Sequence, residues 1–510
     1  MKRHTIRVGL GVAAALSLAT IVWAGDPPKI THDWPSYYGP DGTHADLSRV
    51  PLLDDLSQAK LLWVSEHDDL GFGKTQSHGS HAYGPKAKHS GSCDLIVANG
   101  LVLCGYFTPK NNVVADDIIL AVDAATGKTK WKQVYPGKGY TRTAHKHVQY
   151  GPTPTAADGK VFHLGSGGQV YCVDLATGKP LWTSDVGNLP EQYKAEAAKV
   201  PVKEEVIMKD GVYLKPPLNT PLRVIGGVLM VPIPDDGLYA FDTATGKSLW
   251  KLAGAVRTPS PVKIGGVEYA LCSEAQTIVM PWIAERDVNV RLVEPKSGKV
   301  LWTEPVGVVM HFTELVTAGD RVFIPRSKGS APAKGEKRKF YLAAYALSET
   351  GAKLLWETKE NIASGSNTDV YAYRDGVYYL NISLNMWEVR ILAFKAEDGS
   401  ILKDFNATKT SSMWSQFHLW GDRIALIGDH CHDSIGGACT YQSLTIGPKE
   451  WQITGKTLTP RTFKQYVGVV GYMELWTRPA FADGLIFGRA VNKETGQGAI
   501  ICWDLRAPAK

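Results

Sequence analysis

One phrase recurs along this chain: an apolar run, an acid, a Thr-Gly-Lys step and a tryptophan. It reads ILAVDAATGKTKW at 119–131, VYCVDLATGKPLW at 170–182, LYAFDTATGKSLW at 238–250, VRLVEPKSGKVLW at 290–302 and LAAYALSETGAKLLW at 342–356. Weaker copies end at Phe405 and Trp451. A half-copy, AIICWDL at 499–505, has no tryptophan after it, and its complement stands at the other end of the chain, where AKLLW closes on Trp63. A second signature precedes nearly every phrase, as in TPTAADGKVFHLGS at 153–166 and TDVYAYRDGVYYLN at 368–381.

Each phrase predicts a hairpin, because alternating apolar residues make a strand and the glycine supplies a turn position of positive φ. The second signature predicts another hairpin. Four strands per unit at a spacing of about fifty to seventy residues is the pattern of a β-propeller blade. The outer-strand tips Trp63, Trp131, Trp182, Trp250, Trp302, Trp356, Phe405 and Trp451 count eight blades. The expected fold is therefore all-β: an eight-bladed propeller of four-stranded antiparallel blades, closed by the N-terminal strand around 61–64 joining the C-terminal blade. Closure leaves no long edge strand unpaired. A stack of separate sandwiches does not explain one phrase recurring at one place in every unit.

The pattern A-x-D-x-x-T-G-K-x-x-W resembles the blade repeat of the quinoprotein, or PQQ-type, propeller family. The resemblance covers nearly all of the chain after its first residues. It implies that Trp131, Trp182, Trp250, Trp302 and Trp356 dock between neighbouring blades. It marks function poorly, since that family holds quinone-dependent alcohol dehydrogenases, an outer-membrane assembly lipoprotein and other secreted proteins. The resemblance ties quinone binding to a vicinal Cys-Cys disulfide, and no adjacent cysteines occur here, nor does C-x-x-C-H. The first absence argues against PQQ, and the second against the covalently attached haem of the quinohaemoproteins. TGKT at 126–129 and TGKS at 245–248 imitate a phosphate-binding loop, but the leading glycine is replaced by Val122 and Phe241, so they read as turns.

The first residues carry Lys2, Arg3 and Arg7, an apolar run from Val8 to Trp23 and a small-residue exit at Ala24, the layout of a cleavable export signal. We assign 1–24 to that signal, 25–60 to an N-terminal extension and 61–510 to the propeller, and expect a periplasmic or secreted protein with no transmembrane segment after cleavage. The formal charge of +6 falls to +3 without the three signal cations, which gives no basis for nucleic-acid binding. Of seven cysteines, Cys93 with Cys104 and Cys431 with Cys439 form local pairs that an oxidising compartment allows to bridge; Cys172, Cys272 and Cys502 read as core thiols. Two insertions stand out. Residues 187–219 are charged and helix-capable and read as a solvated excursion or lid, or less usually as a docking arm, and residues 67–92 are glycine-rich and placed to lie over the axial mouth.

In a propeller, the links between blades and the loops between second and third strands emerge on one face, and the Thr-Gly-Lys turns on the other. Histidines concentrate on the linking face. His78, His81 and His89 precede the first inner strand; His145 and His147 lie in the next link; His311 and His418 lie in later ones; His430 and His432 lie in a second-to-third-strand loop. The two His-x-His pairs point both imidazoles to one side of extended backbone. As metal ligands, the set is His81, His89, His145, His147, His311, His418, His430 and His432, suited to copper, zinc or iron. As acids, bases and anion binders, the candidates are His145, His147, His311, His418, Arg257 and Arg478, with Arg142 suited to the same anion-binding task, and Tyr140, Tyr150, Trp414, Trp420 and Tyr472 offering stacking surface for sugars. The competing expectation for each histidine is a solvated loop or a strand-start packing role. His163, inside KVFHLGS, reads as a core or inter-blade histidine.

Two functions follow as expectations. The first is a binding or scaffold module for a ligand or protein at the histidine-bearing face. The second is an enzyme there, either a metal-dependent oxidoreductase or a lyase on acidic polysaccharide.

Overall fold

The computed structural model describes residues 29–53, 58–66, 70, 94–142, 151–203, 211–218, 220–254, 257–274, 287–309, 315–327, 339–359, 361–364, 367–383, 389–406, 416–421, 423–428, 440–445, 453–458, 466–467, 479–492 and 498–508. Its strands are antiparallel and follow the chain in order. The first sheet runs Ile96–Ala98, Leu101–Pro109, Val114–Asp123 and Thr129–Tyr140; the second spans Thr155 to Asp185, and the third Arg223 to Leu252. The fourth is nine-stranded: two four-stranded runs between Ser260 and Glu357 are joined where Val308 and Val309 pair with Ser327 and Arg326, and the short strand Ala363–Ser364 adds to Lys339 and Phe340. The fifth spans Asn367 to Asn406 and the sixth Gln416 to Leu458.

The seventh sheet brings the two ends of the chain together. Lys60–Val64 pairs antiparallel with Gly498–Asp504, with Lys60 opposite Asp504 and Val64 opposite Ile501. The half-phrase and its distant complement are thus one hairpin made from opposite ends of the sequence. Only one helix needs mention, Leu189–Ala197, which we call α1.

Burial falls from the inner strands to the outer ones. Val228–Ile233 and Gly237–Asp242 are buried almost throughout, whereas Ser248–Leu252 alternates exposed and half-buried residues. Strands covered on both faces by neighbouring sheets read as continuous apolar runs, and an outer strand keeps one wet side. The hydrophobic clusters accordingly lie between sheets: Phe162, Val170 and Cys172 of the second sheet pack with Leu229, Val231 and Phe241 of the third.

The repeated turn explains the repeated tryptophan. Asp174 accepts hydrogen bonds from the backbone N–H and hydroxyl of Thr177, and Asp242 does the same with Thr245. Those threonine bonds hold both carboxyls below the ordinary aspartate range. Gly246 sits at φ +73°, and a Cβ there would meet the Trp182 ring at 2.6 Å. The tryptophan of one unit donates its indole N–H to a carbonyl at the turn of the next, and Trp63, Trp131, Trp182, Trp250 and Trp356 also lie against the turn glycine there. Trp131 donates to Leu175 at 3.0 Å, Trp182 to Thr243 at 3.2 Å, Trp250 to Pro295 at 2.8 Å, Trp302 to Ser348 at 2.8 Å and Trp356 to Ala396 at 3.1 Å. Trp63 makes the same contact across the chain ends, donating to Ala124 at 3.0 Å and covering Gly127. The docking role that the resemblance implied for Trp131, Trp182, Trp250, Trp302 and Trp356 is the observed one.

Turns of first-to-second and third-to-fourth strands sit together, as expected for one turn face. The N–H of Ala124 donates to Gly100, that of Leu175 to Gly159 and that of Ala396 to Gly376. Asn99-Gly100, Asp158-Gly159, Asp375-Gly376 and Asp483-Gly484 each place two successive residues at positive φ, the geometry of tight hairpin turns.

Candidate functional site

The axis is the natural place to look for a site, because the inner strands of successive sheets line it. At its turn-face end it is occupied by the chain itself. Residues 29–53, the front of the N-terminal extension, cross this face as a strap without helix or sheet of their own. Trp34 and Val97 exchange backbone hydrogen bonds of 2.9 and 2.8 Å; Ala156 N–H donates to Pro35 and Tyr373 N–H to Thr43; Leu419 and the His44–Asp46 stretch pair in parallel. Inner-strand edges face the axis with unpaired backbone groups, and a buried unpaired group costs free energy comparable to a lost hydrogen bond, so an extended segment is well suited to lie there.

The strap also fills the axis with rings. Trp34 meets His418 edge-on at 5.6 Å between centroids and Phe481 at 5.6 Å; His418 lies 5.6 Å from His44 and 5.1 Å from Phe481. His44 in turn meets Tyr38 at 5.4 Å and Tyr371 at 5.3 Å. The Arg223 guanidinium stands 4.3 Å over the Tyr38 ring, and its Nη1 donates to the Pro259 carbonyl. Gly42 is glycine for cause: its φ is +76°, and a Cβ would sit 1.9 Å from Arg223 Nη2. Polar contacts pin the strap's ends to hairpin turns, a hydrogen bond between His32 Nδ1 and Asp483 at 2.5 Å and an ion pair of Arg49 with Asp375 at 2.7 Å. Burial raises the Asp483 pKa, but hydrogen bonds from Thr31 and His32 outweigh it and hold the carboxyl below its ordinary range.

Of the residues expected to form a site, His418 is not in a link. It occupies the middle of the inner strand Gln416–Trp420, fully buried against the strap, and Trp420 beside it is buried against Phe481 at 4.9 Å. A sequence pattern does not fix where a strand starts, and here the strand begins two residues before the histidine. Arg257 lies half-buried ahead of Ser260–Ile264. His78, His81, His89, His145, His147, His311, His430, His432 and Arg478 lie outside the described residues, as do Tyr150, Trp414, Tyr472, Cys93, Cys431 and Cys439. Among the described residues no group of three or more histidine, cysteine or acidic side chains is placed to hold a metal ion.

The other buried polar groups join sheets. Arg142 turns inward: Nε donates to the Ser166 carbonyl at 2.7 Å, and the guanidinium lies 4.3 Å over the Tyr193 ring of α1. The insertion at 187–219 is therefore partly docked, with Leu189, Tyr193 and Ala197 buried, where its charge had suggested a solvated excursion. Asp117, in the first sheet, accepts from Ser166 N–H and Oγ at 3.0 and 2.6 Å and from the Tyr171 hydroxyl at 3.1 Å, all in the second; burial raises its pKa against those bonds. His163 is the inter-sheet histidine its position suggested. A Cβ on Gly105 would lie 2.1 Å from its ring, and burial holds its pKa down to about 3. Cys172, Cys272 and Cys502 are buried core thiols, and Cys104 is buried mid-strand with Sγ 3.7 Å from the Gly105 carbonyl. At the linking end, the Thr153 hydroxyl ties to Asp94 at 2.8 Å, joining the entrances of the first two sheets.

The strap was the element sequence reasoning left unplaced. Its signal was there in Trp34, Tyr37, Tyr38 and His44, ring-bearing residues gathered in a stretch outside the repeat.

The family described as outer membrane protein assembly factor BamB matches residues 115–405, more than half of the 510. No curated protein sequence matches the chain significantly. Among solved structures, a europium-containing methanol dehydrogenase is 10% identical, with 92% of this chain and 98% of that one covered at a TM-score of 0.50. The quinohemoprotein alcohol dehydrogenase ADHIIG from Pseudomonas putida HK5 is 11% identical, with 94% and 81% covered at a TM-score of 0.49. BamB from Moraxella catarrhalis is 12% identical, with 75% and 95% covered at a TM-score of 0.35. At these identities the first likeness concerns fold alone, and the other two carry no argument. No described helix is long and apolar enough to cross a membrane.

Proposed function

The chain belongs to the family described as outer membrane protein assembly factor BamB, and from that premise we propose that it is an exported, closed eight-bladed propeller that binds a protein or ligand at its linking face. The observation that carries this reading is the asymmetry of the axis. Its turn-face end is filled by Trp34, Tyr38 and His44, whereas the described residues put no such plug at the opposite mouth, which we take as the way in. The repeat pattern of the sequence assigns to that end the segments that bear His81, His89, His145, His147, His311, His430 and His432. The family description, of an assembly factor, supports an interaction role and export. His418, packed on the strap, is assigned to the axis rather than to that face.

The test is site-specific photo-crosslinking in the exporting cell. A photoreactive residue at position 147, which the repeat pattern assigns to the linking face, is expected to give a discrete adduct; one at exposed Lys128, on a Thr-Gly-Lys turn, is expected to give none. Equal adducts from both, or none from either, would overturn the reading. The enzyme alternative predicts stoichiometric copper, zinc or iron in the purified protein, lost in the double variant His145→Ala, His147→Ala.

A further inference from the structure

We propose that the turn-face mouth of the axis is a binding site for an extended, aromatic-bearing peptide, occupied in cis by residues 29–53. The contacts have the form of peptide recognition by strand addition: main-chain hydrogen bonds to sheet edges, with side-chain anchors in between. The strap engages inner strands on opposite sides of the axis. Trp34 pairs with Val97, and Pro35 accepts from Ala156; nine residues on, Thr43 accepts from Tyr373 and His44 from Leu419. Trp34 and Tyr38 are the anchors, each 1% exposed, and the strap's polar contacts, His32 with Asp483 and Arg49 with Asp375, lie outside them as a polar rim. A buried aromatic centre with a charged margin is the anatomy of a binding interface.

Nothing in the strap's sequence belongs to the repeat that builds the sheets, and none of its bonds replaces a bond of that repeat. It is tied to the body through the residues leading from Leu53 to the strand Lys60–Val64. That short tether gives the segment a high effective concentration at its own site, which accounts for occupancy in cis. The inference stands apart from the linking-face reading: it concerns the other end of the axis, and either can fail alone.

The experiment uses the whole chain with a specific protease sequence inserted after Leu53. The chain is cut and then offered a fluorescent synthetic peptide of residues 29–53, with anisotropy and far-UV circular dichroism recorded together. The proposal expects saturable exchange, one peptide per chain, with the body folded throughout. As unlabelled competitors, the Trp34→Ala and Gly42→Ala peptides should each be weaker by at least about ten-fold, since the first loses a central aromatic anchor and the second meets Arg223. Absence of exchange, equal competition by the Trp34→Ala peptide, or unfolding of the body as the segment leaves would each overturn it, the last by making the strap part of the core.

Discussion

The rim and the axis of this molecule hold sheets together by opposite means. At the rim one contact is copied: a tryptophan donates to a carbonyl at the next unit's turn and, except for Trp302, lies against the turn glycine there, from Trp63 on Gly127 through Trp356 on Gly399. At the axis every contact is different, and one unrepeated segment reaches inner strands of several sheets. A periodic contact needs a periodic sequence and so announces itself. A contact made once leaves no pattern, however much it buries.

The largest expected effect concerns the layer between these regions, where His163 packs against Gly105. Its folded pKa is depressed to about 3 by burial, below the unfolded value of 6.5. Its contribution to stability is therefore complete above pH 6.5 and is lost as pH falls toward 3. The full loss amounts to about 5 kcal/mol by linkage. Denaturant unfolding across that window should show the decline, and His163→Leu should flatten it.

At the axis, Trp34→Ala removes a fully buried indole and is expected to weaken the strap's seating by about 3–5 kcal/mol while leaving the unfolding midpoint of the sheets nearly unchanged. Chemical denaturation monitored by circular dichroism measures it. A midpoint lowered by that full amount would mean the strap unfolds with the sheets, which would contradict the peptide-exchange proposal.

At the rim, two alanine substitutions separate docking from backbone strain. Gly246→Ala places a methyl 2.6 Å from Trp182 at φ +73°, whereas Gly159→Ala, at φ +71°, meets nothing within 4 Å. The second should cost only the left-handed strain, about 1–2 kcal/mol. The first adds overpacking of about 1–3 kcal/mol. Equal midpoints would remove the rim contact from the account. A smaller effect is expected from acid on the strap's end. The lowered Asp483 pKa stabilises the seat above the ordinary aspartate value of 3.8, so that pinning should weaken as pH falls below it.

How much was legible follows the same division. Four-stranded units, positive-φ turn glycines, docked tryptophans, the hairpin shared by both chain ends and the buried His163 all followed from a phrase repeated in register. His418 was misplaced because a histidine two residues into a strand and one two residues before it look alike in sequence. Arg142 resembled an anion binder because its partner Tyr193 lies in an insertion whose charge suggested solvent; the charge is real, but α1 keeps it on one side and buries the other. The strap could not be read because its partners, Val97, Tyr373 and Leu419, are distant in sequence and bind it through backbone, which carries no residue signature.

The central claim is that the chain itself fills one end of its axis. Residue-resolved amide hydrogen exchange on the intact protein tests it at the N–H groups of Val97, Ala156, Tyr373 and Leu419, each of which donates to the strap. The account predicts protection at all four comparable to strand amides inside the sheets, lost together when Trp34 is replaced by alanine. Exchange at the rate of exposed turns in the unaltered protein would contradict it.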